Sequence, residues 1–230
     1  MGSAIQKLYT QIPFTYELIN HLLTFGLDIW WRKNAIKKVE NLNGTRWLDV
    51  CTGTGETAAY LSRYARNGNQ VFATDFSLPM VSIAKNKPEG KFINFSISEI
   101  KNLPFLDDTF DLITISFATR NIDINREILI QSFSEIRRVL KSGGQFINLE
   151  TSQPTYSFIK YFFHLYVKIF IRRIGTAISG SKSAYAYLAA TIPKFYPAKE
   201  LKQILIESGF QHVDYQQMLM GAAAIHSSIK

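Results

Sequence analysis

The sequence predicts an α/β fold, a mostly parallel sheet of seven strands with helices on both faces. Three observations carry this expectation. Trp47-Leu-Asp-Val-Cys-Thr-Gly-Thr-Gly-Glu56 is an apolar strand that runs into a glycine turn and then a helix start. Asp75 stands twenty residues past Gly55 at the end of a second strand-like run, the layout with which open parallel sheets build a nucleotide-type site. Between residues 46 and 150, β-rich runs alternate with helical segments, as in a sheet buried on both faces.

The elements follow in order. Residues 4–40 read as an N-terminal helical cap, with Leu18, Ile19, Leu22 and Leu23 on one stripe and Phe25, Leu27, Ile29, Trp30 and Trp31 after it. Asn41-Leu-Asn-Gly44 is a turn. Arg46–Val50 is expected as a strand, Thr57–Arg66 as a helix, Gln70–Thr74 as a strand, and Pro79–Lys87 as a helix with proline in its first turn. Phe92–Ser96 is a short strand and Phe110–Phe117 a buried one. Arg126–Lys141 is a helix that Gly143-Gly144 would end, and Gln145–Glu150 is the fifth strand. Residues 155–192 then form a helical insertion or lid, with a short helix over 183–192. Ala198–Ser208 is a helix stopped by Gly209. His212–Met218 and Ala222–Ser228 close the sheet as a hairpin around Gly221. The whole of 1–230 is expected to be one domain.

The composition narrows the function. Lys and Arg number 26 against 18 Asp and Glu, a net charge of +8 that favours anionic surfaces. Cys51 is the single cysteine, so no intrachain disulfide and no cysteine metal cluster is expected, and a cytoplasmic setting fits. No signal peptide follows Met1, and Gln6 breaks the myristoylation pattern. No apolar run nears the roughly 18 residues that span a bilayer. In Tyr156–Arg173, aromatic and aliphatic residues interleave with Lys160, Lys168, Arg172 and Arg173, and Phe158, Phe162, Leu165 and Ile169 share a helical face. That segment reads as a membrane-surface element, peripheral on an anionic inner face, or as a helix packed on the sheet or in a homodimer interface. No RNA-binding motif appears, so nucleic acid is not the expected partner.

The charges at the glycine turn decide its ligand. Gly53-Thr-Gly55-Glu-Thr-Ala58 satisfies a loose dinucleotide pattern, but a pyrophosphate there would face Asp49, Glu56 and Asp75. A cofactor with an ammonium, a sulfonium and a ribose diol suits those carboxylates, which points to S-adenosylmethionine (SAM) and methyl transfer. Gly53 and Gly55 let backbone approach the methionine part. Asp49 is placed for the amine and Asp75 for the ribose hydroxyls. Glu99 is placed to accept from the adenine amine, with Ile100 as an apolar wall. The buried strand delivers Ser116 to its ligand-binding end, and Arg120 and Asn121 follow at once. Such an arginine either salt-bridges a surface acid such as Asp123 or serves the reaction. The four histidines show no metal-ligand spacing and no metal is expected; His164 is a candidate polar contact for a substrate.

The chain resembles the class I SAM-dependent methyltransferases, which have a Rossmann-like fold, and within them the quinone-biosynthesis C-methyltransferases. The resemblance covers nearly the whole chain. It rests on Tyr16-Glu-Leu-Ile-Asn20, Leu23-Thr-Phe-Gly26 and Trp30-Trp-Arg32, then Leu48–Glu56, Leu103-Pro-Phe105, Ser116–Asn121 and Leu140–Gly144. Tyr187-Leu188, Phe195-Tyr-Pro197 and Gly221–His226 complete it. Leu149-Glu-Thr-Ser-Gln-Pro154 is similar to the menaquinone branch in particular. The resemblance implies cofactor contacts at Thr54, Asp75, Glu99, Ile100 and Ser116, and a prenylated quinol as substrate, demethylmenaquinol above a polyprenyl benzoquinol. Arg120 would stabilise a developing phenolate or hold a water that takes the proton, Asn121 would orient a ring oxygen, and Tyr16 would wall the pocket. Four positions depart from the pattern: Cys51 where the class has Gly, Glu17 for Asp, Glu99 for Asp or Asn, and Thr119 for Leu. An NAD oxidoreductase, an RNA methyltransferase and a non-catalytic lipid-docking subunit of a quinone-biosynthesis assembly are the rival expectations.

Overall fold

The structure is a computed structural model and describes residues 16–39, 44–65, 68–122, 125–171, 173, 177 and 182–230, without the side chains of residues 16 and 182–184. Helices α1 (Tyr16–Leu23) and α2 (Leu27–Lys37) meet at Gly26 and lead to β1 (Arg46–Val50). There follow α3 (Glu56–Tyr64), β2 (Gln70–Asp75), α4 (Leu78–Lys85), β3 (Ile93–Ile97) and β4 (Phe110–Ser116). A single turn, α5 (Thr119–Ile122), precedes α6 (Arg126–Val139) and β5 (Leu140–Thr151). The insertion contributes α7 (Ser157–Tyr166), which continues through a π-helical turn at Val167–Ile171, and α8 (Lys182–Thr191). Helix α9 (Ala198–Glu207), β6 (Gln211–Met218) and β7 (Ala223–Ile229) complete the chain.

The strands form one sheet in the order β3-β2-β1-β4-β5-β7-β6. The first five pair in parallel, and β7 runs antiparallel to both β5 and β6. The order turns back at β1, where β2 lies on one side and β4 on the other, so the crevice beyond its C-terminal end is the place such a sheet offers to a ligand. Successive residues of the central strands serve opposite faces. Leu48, Val50, Ile113 and Ile115 pack with Phe133 and Ile136 of α6 and Leu201, Ile204 and Leu205 of α9. Trp47, Leu112, Ile147 and Leu149 pack with Ala58 and Leu61 of α3 and Trp31 and Ile36 of α2. A third cluster joins the cap to the insertion: Ile19 and Leu23 pack on Val167, Ile171, Tyr185, Leu188 and Ile192.

Two expectations are corrected. The Leu18–Leu23 stripe divides: Ile19 and Leu23 are buried, whereas Leu18 and Leu22 are 56% and 50% exposed. Helix α6 stops at Val139, and Gly143-Gly144 does not end it. Leu140 turns extended, is fully buried and pairs with Phe110, and Gly143, at φ +76°, sits in the register shift before Leu112 meets Gln145. The glycines therefore make a bulge in a long strand. The insertion reads in sequence as either a surface element or a packed helix: the face drawn by Phe158, Phe162, Leu165 and Ile169 points outward, as in the first of these, and Val167 and Ile171 do the packing. The π turn over those residues shifts the helical phase.

His226 of β7 shows how tightly the antiparallel edge is sealed. It is buried, its Nε2–H donates to the Ala198 carbonyl at 2.8 Å, and burial holds its pKa down at about 4. A group with a lowered folded-state value contributes stability above its unfolded value near 6.5 and loses it as the pH falls through the folded value. Wild-type protein is thus expected to lose about 3 kcal/mol from this residue between pH 6.5 and 4. His226→Gln, compared by urea unfolding at pH 7.5 and 4.5, should show that acid loss reduced.

Candidate active site

The glycine turn leaves β1 through backbone that few side chains tolerate. Cys51 has φ +54°, Gly53 +55° and Gly55 +82°. Only at Cys51 does a side chain occupy the left-handed region, at the position where the related pattern has glycine, and this stores strain at the site. Burial pushes the Cys51 thiol up, so it is not a thiolate. Gly55 is confined twice: a Cβ there would lie 2.7 Å from Ala84 Cβ of α4. The turn is tied across the sheet by Thr52 N–H to Thr74 O (3.0 Å) and Gly53 N–H to Asp75 Oδ2 (2.8 Å). Asp75 Oδ1 accepts from Ser77 N–H at 2.8 Å, so this acid braces the glycine turn and the residue that precedes α4. Burial raises its pKa.

Asp49 is the most constrained charge in the crevice. It is 1% exposed, and its oxygens accept from Thr52 Oγ1 (2.6 Å) and Thr114 Oγ1 (2.7 Å). Burial nevertheless pushes its pKa up to about 6, against the pull of those hydroxyls and of Arg32. Asp49, Thr54, Gly53, Asp75, Glu99, Ile100, Ser116 and Asn121 all line one cleft, with Phe76 and Met80 as apolar wall. Thr54 is buried and Glu99 lies exposed at the rim.

A second, apolar pocket adjoins this cleft. Leu23, Trp31, Phe163, Val167, Leu188 and Ile192 are among its walls, drawn from the cap and the insertion. Arg32 and Phe117 line both pockets, the guanidinium 4.9 Å from the ring centroid, so this stacked pair stands where the two pockets meet. Helix α5 divides its residues: Arg120 lines the apolar pocket and Asn121 the polar cleft. Arg120 is 7% exposed; its Nη1 donates to Thr151 Oγ1 (2.8 Å) and reaches Glu150 Oε1 at 3.4 Å. Its partner is therefore the buried Glu150 of β5, and Asp123 lies outside the described residues. His164 lines neither pocket, and its Nε2 meets Gln153 Oε1 at 2.8 Å. Tyr16 opens α1 with its side chain outside the described residues.

Sequence reasoning missed a charged ring under the cap. Asp28 Oδ2 takes His21 Nδ1 (2.8 Å) and Arg32 Nη1 (2.8 Å), while Glu56 meets His21 Nε2 and Arg32 Nη2, both at 3.2 Å. Asp28 and Arg32 stand four apart on α2, a spacing that signals such a pair on a helix. His21, Asp28 and Glu56 lie at distances that suit a metal, yet the Arg32 guanidinium already spans both carboxylates.

The sheet order, the glycine turn and the cleft define a methyltransferase of the SAM-dependent, Rossmann-like class. A SAM-dependent methyltransferase of Thermotoga maritima shares the fold, with a TM-score of 0.69 at 17% identity over 98% of this chain and 99% of that one. The profile of the ubiE/COQ5 methyltransferase family matches residues 2–230. The chain is 33% identical to the ubiquinone/menaquinone biosynthesis C-methyltransferase UbiE of Desulfotalea psychrophila, across 100% of this chain and 91% of the relative. It is 34% identical to the demethylmenaquinone methyltransferase of Lactobacillus johnsonii, across 98% and 92%. The chain belongs to the ubiE/COQ5 methyltransferase family.

Proposed function

We propose that this protein transfers the methyl group of SAM to a ring carbon of a prenylated quinol in quinone biosynthesis, with demethylmenaquinol as the favoured acceptor. The observation that carries the reading is the pair of adjoining pockets, one polar and carboxylate-lined, one apolar, which share Arg32 and Phe117 as lining.

The donor set of the cleft fits SAM. Asp49 and Glu56 suit an ammonium and a sulfonium, Asp75 a ribose diol, and Phe76, Met80 and Ile100 a flat adenine with Glu99 at its amine edge. Gly53, Thr54 and Ser116 supply the close backbone and hydroxyl contacts, whereas Gly55 is absent from the cleft lining and packs against Ala84. When bound there, the cofactor supplies an electrophilic methyl group. The chain's residues then position a ring, exclude water and stabilise charge. Arg120 keeps its proton, so it holds the ring oxygen as phenolate character develops. Asn121, on the cleft side of the same turn, orients the ring toward the cofactor. The apolar pocket takes the first isoprene units.

The tail must leave toward lipid, and the surface beside the pocket is suited to it. Phe25, Tyr156, Phe158, Tyr161 and Phe162 are each more than half exposed, and Lys160 and Lys168 accompany them on the insertion. Among the described residues no helix is long and apolar enough to cross a membrane. The protein thus docks peripherally on an anionic bilayer. Phe158→Glu with Phe162→Glu is expected to abolish flotation with anionic vesicles; if these changes instead split a dimer and leave flotation intact, the face is a homodimer interface.

The decisive experiment measures methyl transfer from labelled SAM to reduced demethylmenaquinone in anionic vesicles, with a polyprenyl benzoquinol in parallel. Product from the naphthoquinol alone is expected. Product from both makes the enzyme dual, and intact SAM binding with no product from either refutes the reading.

A further inference from the structure

Within the charged ring under the cap, His21 and Asp28 have no part in the reaction as derived so far, and the reaction lacks a base. Replacing a ring C–H by C–CH3 releases one proton. Four titratable residues with described side chains line the apolar pocket: Asp28, Arg32, Arg120 and Tyr166. The two guanidiniums stay charged. The Tyr166 hydroxyl already carries a proton, which it donates to the Leu23 carbonyl. Asp28 is the remaining acceptor. It is 2% exposed, so it has no path of its own to water. Its Oδ2 is shared by His21 and Arg32, whereas among the described residues Oδ1 takes only the Thr24 hydroxyl at 2.6 Å, and Thr24 lines the same pocket. His21 is the exit. Its Nδ1 touches Asp28, its Nε2 faces Glu56 at 3.2 Å, and its side chain is 29% exposed.

We infer that Asp28 is the catalytic base of the methyl transfer and that His21 carries the proton from it to solvent. The inference rests on the acceptor being a phenolic ring, as proposed above. The ring O–H bond breaks and its proton passes to Asp28 Oδ1. The electron pair moves through the ring to the carbon that forms the new bond, while the sulfur–methyl bond breaks with its pair left on sulfur. Oxygen is then a ketone and the methylated carbon still bears one hydrogen. Loss of that hydrogen as a proton and return of a proton to the oxygen restore the hydroxyl, so one proton remains on Asp28. The carboxyl proton moves to the Oδ2 side and passes to His21 Nδ1, which is open to accept in the tautomer whose Nε2–H faces Glu56, and Nε2 then releases its proton to water. A carboxylate suffices as base because the hydroxyl becomes strongly acidic once the ring gains the methyl group. Arg32, paired with both Asp28 and Glu56, ties the relay to the first turn of the cofactor helix.

The test compares wild type, Asp28→Asn and His21→Ala, with SAM affinity measured by calorimetry and turnover on reduced demethylmenaquinone. Asp28→Asn is expected to lower kcat by about 10²–10⁴-fold, with quinol KM and SAM Kd near wild type. His21→Ala should lower kcat by roughly tenfold, and added imidazole should restore it, which a purely structural role would not produce. A folded Asp28→Asn enzyme at wild-type kcat overturns the inference alone; a wild-type enzyme that methylates no quinol overturns it together with the functional reading. If Asp28→Asn does not fold, His21→Ala decides: rescue by imidazole supports the relay, and unchanged turnover or a loss that imidazole leaves untouched overturns it.

Discussion

Asp49→Asn is expected to weaken SAM binding about a hundredfold and, without cofactor, to make the protein more stable. Both effects have one source. Asp49 lies at the C-terminal end of β1 with burial holding its pKa at about 6, well above the 3.8 of an exposed aspartate. At pH 7.5 the folded protein therefore keeps an anion where burial opposes it. The free energy involved is about 3 kcal/mol. The sign is that of a raised carboxyl: its contribution to stability is full below the unfolded value and is lost as the pH rises through 6. A cationic ligand reverses the balance, because the methionine ammonium and the sulfonium both favour the ionised form. Losing a buried charged partner costs about 2–3 kcal/mol, or about a hundredfold in affinity. Calorimetry from pH 5 to 8 should show wild-type affinity falling as the pH drops through 6, and Asp49→Asn flat over that range. Asn can still accept from one of Thr52 and Thr114 and donate to the other, so the fold is kept. His226 titrates in the opposite direction over the same range, and the His226→Gln background isolates the Asp49 signal. An Asp49→Asn protein that binds SAM as tightly as wild type at pH 7.5 would remove Asp49 from the cofactor site.

The sheet and the cofactor cleft were legible because each rests on local pattern. Period and turn chemistry place Leu48, Val50, Ile113 and Ile115, and the glycines and Asp75 announce the crevice at the end of β1. What escaped was tertiary. Gly143-Gly144 reads as a helix stop in isolation, and only the pairing of Leu140 with Phe110 makes it a bulge. The face of α7 is legible as a surface element or a packed one with equal right, and the π turn, with Val167 and Ile171 buried, decides for the first. Arg32 and Phe117 lie 85 residues apart, so no spacing shows that they share a wall. Glu150 could be placed on a strand, but its position beneath Arg120 depends on β4 and β5 being neighbours. His21, Asp28 and Glu56 are unremarkable singly and gain meaning from the packing of the cap on α3.

Arg120→Met should lower turnover by about 10²–10³-fold while leaving SAM affinity and the fold in place. The usual objection to removing a buried arginine is the carboxylate left behind, which typically costs about 3–5 kcal/mol. Here Glu150 does not depend on the guanidinium. Its Oε1 accepts from Thr151 N–H (2.7 Å) and Thr151 Oγ1 (2.9 Å), its Oε2 from the Arg120 main-chain N–H (3.1 Å), and the guanidinium contact is the longest of the four at 3.4 Å. Glu150 is held by backbone and by Thr151, and it serves to aim the arginine. The Arg120 Nε atom is buried without a partner among the described residues, and the side chain lines the apolar pocket. That is the arrangement of a donor whose acceptor arrives with the substrate. Arg120→Lys should recover part of the loss, since a lysine restores charge but not the fixed fork of donors. Glu150→Gln should then cost less than Arg120→Met, because the amide still accepts through one oxygen. The three variants give a ranked series in kcat at constant SAM Kd. A ranking in which Glu150→Gln is the most damaging would falsify the role of Arg120 as the group that meets the ring oxygen and would move that role to the carboxylate.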